Sequence, residues 1–462
     1  MHSLLLARGD NIILDAYWAP FKKDTLHRMN SVTKSFVALA VGCLIYEGRL
    51  SLSDKVIDFF PEASNFKVNE NQANLTVENL LTMRTGYRPV GNGHWVRDRN
   101  YGRIKNFFER EPQAAIDEEF YYDSTGSYIL GVIVERLTGG SFVKYLQGKI
   151  LNEIGFSSGA CCISTPEGYS WSDSGLLCTT EDLYKVAGFI NRRGETVGAR
   201  CIGEDYISRA VSAIVSTENT GKKYKSYGYG YQIWRAPHGG FMFLGMGMQV
   251  LLYLPHKDLY IVCTADTQPD ERYRERSFEL FDELIEGVKD GALPQDDLAF
   301  TELCEYVSDL KLTALDIGEE PSENTAFGVE YVAEDNPMGI NRFTVRGDGT
   351  RGVFSYENCQ GDKEIVFGLG YNELSEFPED GYFDMQVGVS PEGHRYPIAA
   401  SAGYLADGTL VINVQFVGRH LGGVKICLTP CEDSVRLTMK KSTNCFLDRY
   451  NGEAVAHRAI KK

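Results

Sequence analysis

The alternation of apolar and polar residues predicts a β-hairpin and a buried helix at the start of the chain. Two apolar runs, residues 3–7 and 12–17, are separated by Arg8-Gly9-Asp10-Asn11. Glycine and asparagine readily adopt turn conformations, so this spacing predicts a hairpin. The run from Phe36 to Ile45 is apolar on nearly every side, which is typical of a helix buried all round. Gly48 then ends this helix as a C-terminal cap.

The middle of the chain changes from helical periodicity to strand periodicity. Residues 49–160 contain apolar groups spaced for helices, and these groups lie at 77–81, 107–111 and 128–136. From residue 227 to 264 the pattern favours strands, and the candidate runs are 229–234, 249–254 and 259–264. An amphipathic helix is predicted over residues 271–289. The polar and turn-forming residues of the segment 291–297 then predict a linker.

The last third of the chain predicts a separate β domain. After a short helical stretch at residues 300–312, residues 325–455 consist almost entirely of strand and turn patterns. Such a series of short strands is typical of an antiparallel sandwich or barrel. We therefore predict a first domain over residues 1–290, a linker with a short helix over 291–324, and an antiparallel all-β domain over 325–462.

Composition agrees with two globular domains and argues against some classes of partner. A chain of 462 residues with 43% hydrophobic residues is too long for one ordinary core. Its net charge of −16 and its pI near 5.1 argue against a nucleic-acid partner. The longest apolar run is far shorter than the roughly 20 residues that a membrane span requires. No signal peptide is visible, so we expect a cytoplasmic location, although the chain opens directly in strand-like sequence and an upstream segment could be missing.

The cysteine pattern predicts no metal site. The eleven cysteines are odd in number and lie in apolar surroundings, which indicates reduced, buried thiols. The sequence contains neither a paired C-x-x-C framework nor an H-E-x-x-H motif, the usual patterns of zinc sites. We therefore expect no metal and no cofactor.

The residues around Ser31 are the clearest candidate for chemistry. Ser31 stands at the start of the buried helix and Lys34 lies one turn further on, so their side chains share a helix face. A serine with a proton acceptor within reach is a candidate nucleophile. Burial of an amine favours its neutral form, which can accept a proton. The backbone N–H groups at a helix start also favour a developing oxyanion.

The spacing Ser-x-x-Lys is weak evidence alone, because it recurs in this chain. It also occurs at Ser64/Lys67, Ser141/Lys144 and Ser308/Lys311. The surroundings distinguish these copies, since Lys34 begins a helix that is apolar all round, where charge is costly. Lys67 lies among polar residues and Lys144 lies in an amphipathic helix, so both are interpreted as solvated lysines.

Five segments resemble, in order, the motifs of the serine β-lactamase-like hydrolases. Their sequences are RMNSVTKSF at 28–36, ENLLTMRTG at 78–86, FYYDSTGSYILG at 120–131, GLLCTTEDL at 175–183, and YGYGYQIW followed by HGGFMFLGMGMQ within 227–249. This family includes class C β-lactamases, penicillin-binding D-peptidases, serine esterases and 6-aminohexanoate-dimer hydrolases. The resemblance covers roughly residues 1–287 and implies an α/β (α+β) domain, in which helices flank an antiparallel sheet. The active site is then expected between the sheet and a helical subdomain.

The resemblance also implies roles for individual residues. Ser31 would attack a carbonyl carbon to form an acyl-enzyme, and Lys34 and Tyr122 would relay the proton. The register of the motif selects Tyr122 rather than its neighbour Tyr121 for this relay. Backbone N–H groups of Ser31 and near Met246 would form the oxyanion hole. Water would then release the acyl group.

The third motif departs from the family pattern. Phe243-Leu244-Gly245 stands where many relatives carry Lys-Thr-Gly, whose cation and hydroxyl hold a substrate carboxylate. The lack of both groups favours a neutral ester or amide. Ser124 stands where many relatives have Asn, which implies a different contact with a substrate amide, and His238 either lines the site or forms a turn. The predicted substrate-binding residues are Ser124, His238, Leu244, Gly245 and Met246.

The sequence therefore predicts a metal-free serine hydrolase that acts on a small ester, amide or short peptide. We expect no nucleic-acid partner and no membrane span, and the oligomeric state stays open. Two alternatives stay open as well: a D-amino-acid peptidase or β-lactamase, and a binding or sensor protein that keeps the fold without turnover. The presence of Ser31, Lys34 and Tyr122 argues against the second alternative, whereas the altered third motif keeps it open. The β domain is expected to shape the cleft or to serve as a docking platform.

Overall fold

The computed structural model describes residues 1–88, 102–318, 328–378, 396–443 and 447–459. The α-helices in these ranges are α1 (Thr33–Tyr46), α2 (Glu70–Asn74), α3 (Val77–Thr82), α4 (Arg103–Glu109), α5 (Ser124–Thr138), α6 (Phe142–Leu146), α7 (Thr180–Asn191), α8 (Glu204–Ala210), α9 (Glu271–Gly287) and α10 (Asp297–Ser308). Among the described residues, no helix is both long enough and apolar enough to cross a membrane.

The strands divide into an N-terminal and a C-terminal group. The N-terminal strands are β1 (Ser3–Arg8), β2 (Asn11–Tyr17), β3 (His27–Arg28), β4 (Cys161–Cys162), β5 (Leu176–Cys178), β6 (Trp234–Arg235), β7 (Phe241–Gly245), β8 (Gln249–Leu254) and β9 (Leu259–Thr264). The C-terminal strands are β10 (Glu330–Ala333), β11 (Arg342–Gly347), β12 (Arg351–Asn358), β13 (Gly361–Leu369), β14 (Glu373–Glu376), β15 (Pro397–Tyr404), β16 (Leu410–Phe416), β17 (Gly423–Pro430), β18 (Ser434–Lys441) and β19 (Gly452–Arg458).

Six N-terminal strands form an antiparallel sheet in the order β2-β1-β9-β8-β7-β6. Successive side chains of a strand point to opposite faces, and β9 shows this alternation. Val262 joins the core that contains α1, whereas Ile261 and Cys263 join the core that contains Phe278 of α9. The sheet is therefore covered by helices on both faces, and the predicted α/β (α+β) architecture is confirmed.

The helix α1 is buried along its length, as its apolar sequence predicts. Residues from Thr33 to Leu44 are all buried, and they pack against α5 and α6 on one side and against the sheet on the other. The predicted hairpin is also present, because β1 pairs with β2 across the turn that contains Gly9 and Asp10. The 3-10 turn that precedes α1, residues 30–32, contacts β7.

The strand predicted over residues 229–234 is wrong. Only Trp234 and Arg235 form a strand there, because Gln232 has a left-handed backbone with φ of 56°. The side chain of Gln232 donates to the carbonyl oxygens of Leu80 and Leu81 and accepts a hydrogen bond from Ser127. These buried hydrogen bonds compensate for the left-handed backbone of Gln232. The segment therefore joins the helices α3 and α5 to the sheet instead of extending the sheet.

The ten C-terminal strands form a barrel, in the order β13-β12-β11-β10-β19-β18-β17-β16-β15-β14. The barrel closes at β15, which pairs with β14 along its first half and with β13 at Ser401 and Ala402. Alternate residues fill its interior, as expected for a small barrel. Of the two architectures that the sequence left open, the structure therefore has the barrel.

Residues of the N-terminal domain take part in the core of the barrel. Ile163, Trp171 and Leu177 are buried in the same apolar cluster as the barrel interior. A second, smaller cluster joins Phe21 to Ala399 and Val417 of the barrel, and Trp18 packs against this cluster. Both clusters therefore join the N-terminal domain to the barrel.

Candidate active site

Ser31 lies in a single 3-10 turn, residues 30–32, that leads directly into α1. The preceding Asn30 has a left-handed backbone with φ of 47°, a conformation that asparagine tolerates better than most residues. Its side chain accepts a hydrogen bond from Nε of Arg28 at 3.2 Å and donates to the carbonyl oxygen of Met246 at 2.9 Å. Asn30 therefore fixes the turn that carries Ser31 against the residue that follows β7.

A close backbone contact holds the same two segments together. A Cβ atom on Gly245 would lie only 2.3 Å from the carbonyl oxygen of Met29. Thr33 adds a link to β5, because its hydroxyl donates to the carbonyl of Asn30 at 2.6 Å and accepts from the backbone N–H of Leu176 at 3.0 Å. The glycine at the end of β7 is thus needed for the approach of Ser31 to the sheet.

Lys34 reaches Ser31 directly. Its amine Nζ donates hydrogen bonds to Oγ of Ser31 at 2.9 Å and to the backbone carbonyl of Asp173 at 2.7 Å. The side chain of Lys34 is buried, with a relative exposure of 1%. The predicted pair is therefore brought together, and the Asp173 carbonyl holds the amine from the other side.

Asp173 belongs to a turn that is fixed by further polar contacts. Its carboxylate is fully buried, forms an ion pair with Arg103 at 3.2 Å and accepts a hydrogen bond from the hydroxyl of Ser174 at 3.1 Å. The adjacent Ser172 donates to the carbonyl of Tyr128 at 3.2 Å. These contacts leave the backbone carbonyl of Asp173 directed at Lys34.

Tyr122 lies beside the serine–lysine pair, whereas Tyr121 does not. The amine of Lys34 is 5.2 Å from the centre of the Tyr122 ring, and this ring stacks on Trp234 with centroids 5.8 Å apart. Tyr121 instead donates to the carboxylate of Glu119 at the surface. That hydrogen bond raises the pKa of Tyr121.

A cavity of about 240 Å³ opens over Ser31. Its lining residues are Ser31, Tyr122, Lys225, Leu244, Gly245, Met246, Gly247, Thr267, Gln268 and Arg274. The structure therefore brings five of the predicted site residues to one cavity, with Lys34 hydrogen-bonded to Ser31 beneath it.

Two predicted substrate-binding residues, Ser124 and His238, do not line this cavity. Ser124 begins α5, where Asp123 caps the helix. His238 is exposed on the turn before β7 and its ring contacts His256 at 4.3 Å. Along β7, the three steps from Phe241 to Leu244, the first residue of this strand that lines the cavity, span about 10 Å at roughly 3.4 Å per residue, so the place of His238 in the site is not supported.

The sequence interpretation missed the two cations of the cavity. Lys225 lies in a short 3-10 turn, and its amine is 4.9 Å from the ring centre of Trp234 and 5.6 Å from that of Tyr122. Arg274 lies in the first turns of α9. Both look like surface residues in their local sequence, and the hydrophobic pattern contains no signal that would place them near Ser31.

This arrangement defines a class of protein. An antiparallel sheet lies between helices, and a serine and a buried lysine lie at the start of the central helix. Both features are those of the β-lactamase-like serine hydrolases. The chain belongs to the Beta-lactamase family, whose model matches residues 2–284. The resemblance inferred from the five sequence segments is thereby confirmed. The family and its relatives are hydrolases.

Individual relatives agree with this membership. The chain is 25% identical over 294 residues to the 6-aminohexanoate-dimer hydrolase of Paenarthrobacter ureafaciens, a match that covers 59% of this chain and 74% of the relative. It is 26% identical over 165 residues to the esterase EstB of Burkholderia gladioli, covering 33% of this chain and 42% of that protein. A solved Bacillus anthracis structure, provisionally named a 6-aminohexanoate-dimer hydrolase, superposes with a TM-score of 0.50 at 20% identity, over 64% of this chain and 80% of its own.

Proposed function

We propose that this protein cleaves a carboxylic ester or amide through an acyl-enzyme formed on Ser31. The observation that carries the proposal is the 2.9 Å hydrogen bond between the buried amine of Lys34 and Oγ of Ser31, at the floor of an open cavity. A serine hydroxyl within hydrogen-bond distance of a basic group is the usual arrangement for nucleophilic catalysis. The names of two relatives, a dimer hydrolase and an esterase, agree with this reaction class.

The proposed reaction has two halves. In the first, Oγ of Ser31 bonds to the carbonyl carbon while its proton passes to the amine of Lys34, and the bond to the leaving alcohol or amine then breaks. The leaving group takes up the proton from the relay. In the second half, a water molecule attacks the acyl ester and gives its proton to the same relay. The carboxylic acid leaves, and Ser31 regains its proton.

Tyr122 is proposed as the second member of the proton relay. Its ring lies beside the Lys34 amine and lines the cavity, so the phenol can reach a leaving group above Ser31. Stacking on Trp234 holds the ring in this position. The surface contact of Tyr121 with Glu119 supports the choice of Tyr122 over its neighbour.

The oxyanion hole is proposed to consist of the backbone N–H groups of Ser31 and Met246. Both residues line the cavity. The carbonyl of Met246 accepts hydrogen bonds from the side chains of Asn30 and Gln249, which fix the chain at this point. Donors that are fixed before the reaction stabilise a developing negative charge most effectively.

The charge of the cavity favours a substrate that carries a negative group. Lys225 and Arg274 both line it. The expectation of a neutral substrate rested on the uncharged third motif, Phe243-Leu244-Gly245. Lys225 and Arg274 come to the same cavity from other segments of the chain, so it has basic residues although the third motif carries none.

The first experiment is covalent labelling with a fluorophosphonate, followed by intact mass and peptide mapping. Wild type should gain one adduct on Ser31, and Ser31→Ala should gain none while keeping the same circular dichroism. Ser64→Ala is the matched control, because Ser64 has the same spacing to a lysine but lies at the surface. Labelling of Ser31→Ala would place the nucleophile elsewhere. A folded wild type that takes up no label would favour a binding or sensor role.

A second assay separates the enzymatic alternatives. Labelled and unlabelled protein should be compared on p-nitrophenyl esters, anilides, D-alanyl peptides and nitrocefin. Turnover of esters or anilides that is lost on labelling supports the proposal. Turnover confined to D-alanyl peptides or nitrocefin would instead support the D-peptidase or β-lactamase alternative.

A further inference from the structure

The turn Trp171–Gly175 lies between the barrel and the catalytic lysine. Trp171 at its first position is 3% exposed and belongs to the apolar cluster of the barrel interior, together with Ile163 and Leu177. Asp173, at the middle of the turn, presents its backbone carbonyl to the amine of Lys34 at 2.7 Å. Only one residue, Ser172, therefore separates the tryptophan packed in the cluster of the β domain from the residue whose carbonyl holds the proposed base.

The turn is tight enough to transmit the position of Trp171 to Asp173. The carbonyl of Trp171 accepts hydrogen bonds from the backbone N–H groups of Ser174 at 3.0 Å and of Gly175 at 2.6 Å. A Cβ atom on Gly175 would lie 2.8 Å from Cβ of Trp171, so the two ends of the turn are in direct contact. The backbone N–H of Trp171 is bonded in turn to the carbonyl of Ile163 at 2.6 Å.

A second contact joins the barrel to the other side of the site. The backbone N–H of Gly422, in the loop between β16 and β17, donates a hydrogen bond to the carboxylate of Asp266. The same carboxylate interacts electrostatically with Arg28. The guanidinium carbon of Arg28 lies 5.5 Å from the ring centre of Trp171, and its Nε bonds to Asn30. Arg28 thus links Trp171 to the residue that precedes Ser31.

We propose that Trp171 is a positioning residue through which the C-terminal barrel fixes the carbonyl of Asp173 against Lys34, so that the barrel is a part of the catalytic site. The proposal rests on the proposed function, because it assumes that Lys34 accepts the proton of Ser31. It gives the β domain a role other than a separate docking platform. A misplacement of about 1 Å in a catalytic group can lower a rate by roughly 100-fold, so a loosened turn should be visible in the kinetics.

The experiment compares Trp171→Ala, Trp171→Phe and Trp18→Ala in the full-length chain. Trp18 is the matched control, because it packs on the second cluster that joins the two domains. The readouts are the labelling stoichiometry with a fluorophosphonate, the labelling rate per labelled site, and kcat and KM on a p-nitrophenyl ester. The stoichiometry counts folded sites, and the rate per site reports how well Ser31 and Lys34 are arranged.

Trp171→Ala is expected to keep full stoichiometry, to label at least about 30-fold more slowly per site, and to lower kcat with KM nearly unchanged. Trp171→Phe should recover most of the rate, and Trp18→Ala should stay within about threefold of wild type. The proposal is overturned if Trp171→Ala labels at the rate of Trp18→Ala, or if only its stoichiometry falls. If Trp171→Ala does not fold, Trp171→Leu is read by the same criteria. If wild type takes up no label, the proposed function itself is contradicted. If wild type and Trp171→Ala label equally well, only the role of Trp171 is contradicted.

Discussion

The amine of Lys34 is held between the hydroxyl of Ser31 at 2.9 Å and the backbone carbonyl of Asp173 at 2.7 Å. One contact comes from the turn before α1, and the other comes from a chain segment about 140 residues later. Lys34 is buried because it lies in the first turn of the central helix and because the turn that contains Asp173 covers its amine. The relationship explains why this copy of Ser-x-x-Lys differs from the surface copies in the same chain.

Replacement of Lys34 by methionine tests the proposed base. Lys34→Met keeps the length and the apolar surface of the side chain but removes the proton acceptor, so the labelling rate at Ser31 should fall by about 1,000-fold. The matched control is Lys144→Met, since Lys144 is exposed at the same spacing from Ser141. A labelling rate of Lys34→Met within tenfold of wild type would contradict the proposed relay.

The pair Tyr122→Phe and Tyr121→Phe tests the second member of the relay. Loss of the Tyr122 hydroxyl should lower kcat on a p-nitrophenyl ester by about 100-fold, because proton transfer by a placed group contributes at least that factor. The ring and its stacking on Trp234 are kept, so stability should change little. Tyr121→Phe removes only the surface contact with Glu119 and should stay within twofold of wild type. Equal effects of both substitutions would rule out a specific role for Tyr122.

The two cations of the cavity lead to a prediction on substrate charge. Lys225→Met and Arg274→Met should each raise KM for the mono-p-nitrophenyl ester of glutaric acid by about tenfold, as expected for loss of one charge-assisted hydrogen bond. The KM for the uncharged p-nitrophenyl pentanoate should change less than twofold. Lys222→Met is the control, because Lys222 is exposed in the same loop and does not line the cavity. If both esters respond equally, the cations do not recognise the carboxylate.

The local pattern of the sequence was sufficient for the parts of the fold that depend on neighbouring residues. The apolar run after Ser31 predicts a buried helix because a helix buries whichever face is apolar, and here every face is apolar. The hairpin of β1 and β2 and the strands β8 and β9 follow from the same kind of local signal. The family resemblance then supplied the α/β (α+β) arrangement.

Contacts between distant segments could not be read from the same pattern. Residues 229–234 have the composition of a strand, but the buried hydrogen bonds of Gln232 to Leu80 and Leu81 turn the chain instead. Lys225 and Arg274 are ordinary surface residues in their own segments, and only the packing of α9 on the sheet brings Arg274 to the cavity that Ser31 lines. The same holds for Trp171, whose role depends on a domain that begins far along the chain.

The stability of the protein should fall at acidic pH because of a pair of buried histidines. His2 and His27 are 5% and 2% exposed, their rings are hydrogen-bonded to each other at 2.8 Å, and His2 stacks on Phe21. Burial lowers the pKa of His27 from 6.5 to about 3, and it lowers the pKa of His2 well below its ordinary value. The unfolded chain therefore binds more protons than the folded protein at mildly acidic pH, so the stabilising contribution is complete above pH 6.5 and is lost as the pH falls towards 3.

The matching measurement is the free energy of unfolding in urea at pH 7.5 and at pH 5. The titration of His27 should lower the free energy of unfolding by about 2 kcal/mol between these two pH values. The reason is that pH 5 lies about 1.5 units below the ordinary pKa of histidine, and each unit corresponds to about 1.4 kcal/mol. His27→Gln removes this titration and should reduce the decrease by that amount, whatever its effect at pH 7.5. Phe21→Leu is the control, since it loosens the same cluster but removes no titratable group, and it should lower stability equally at both pH values. An unchanged pH dependence in His27→Gln would show that His27 does not remain neutral in the folded protein.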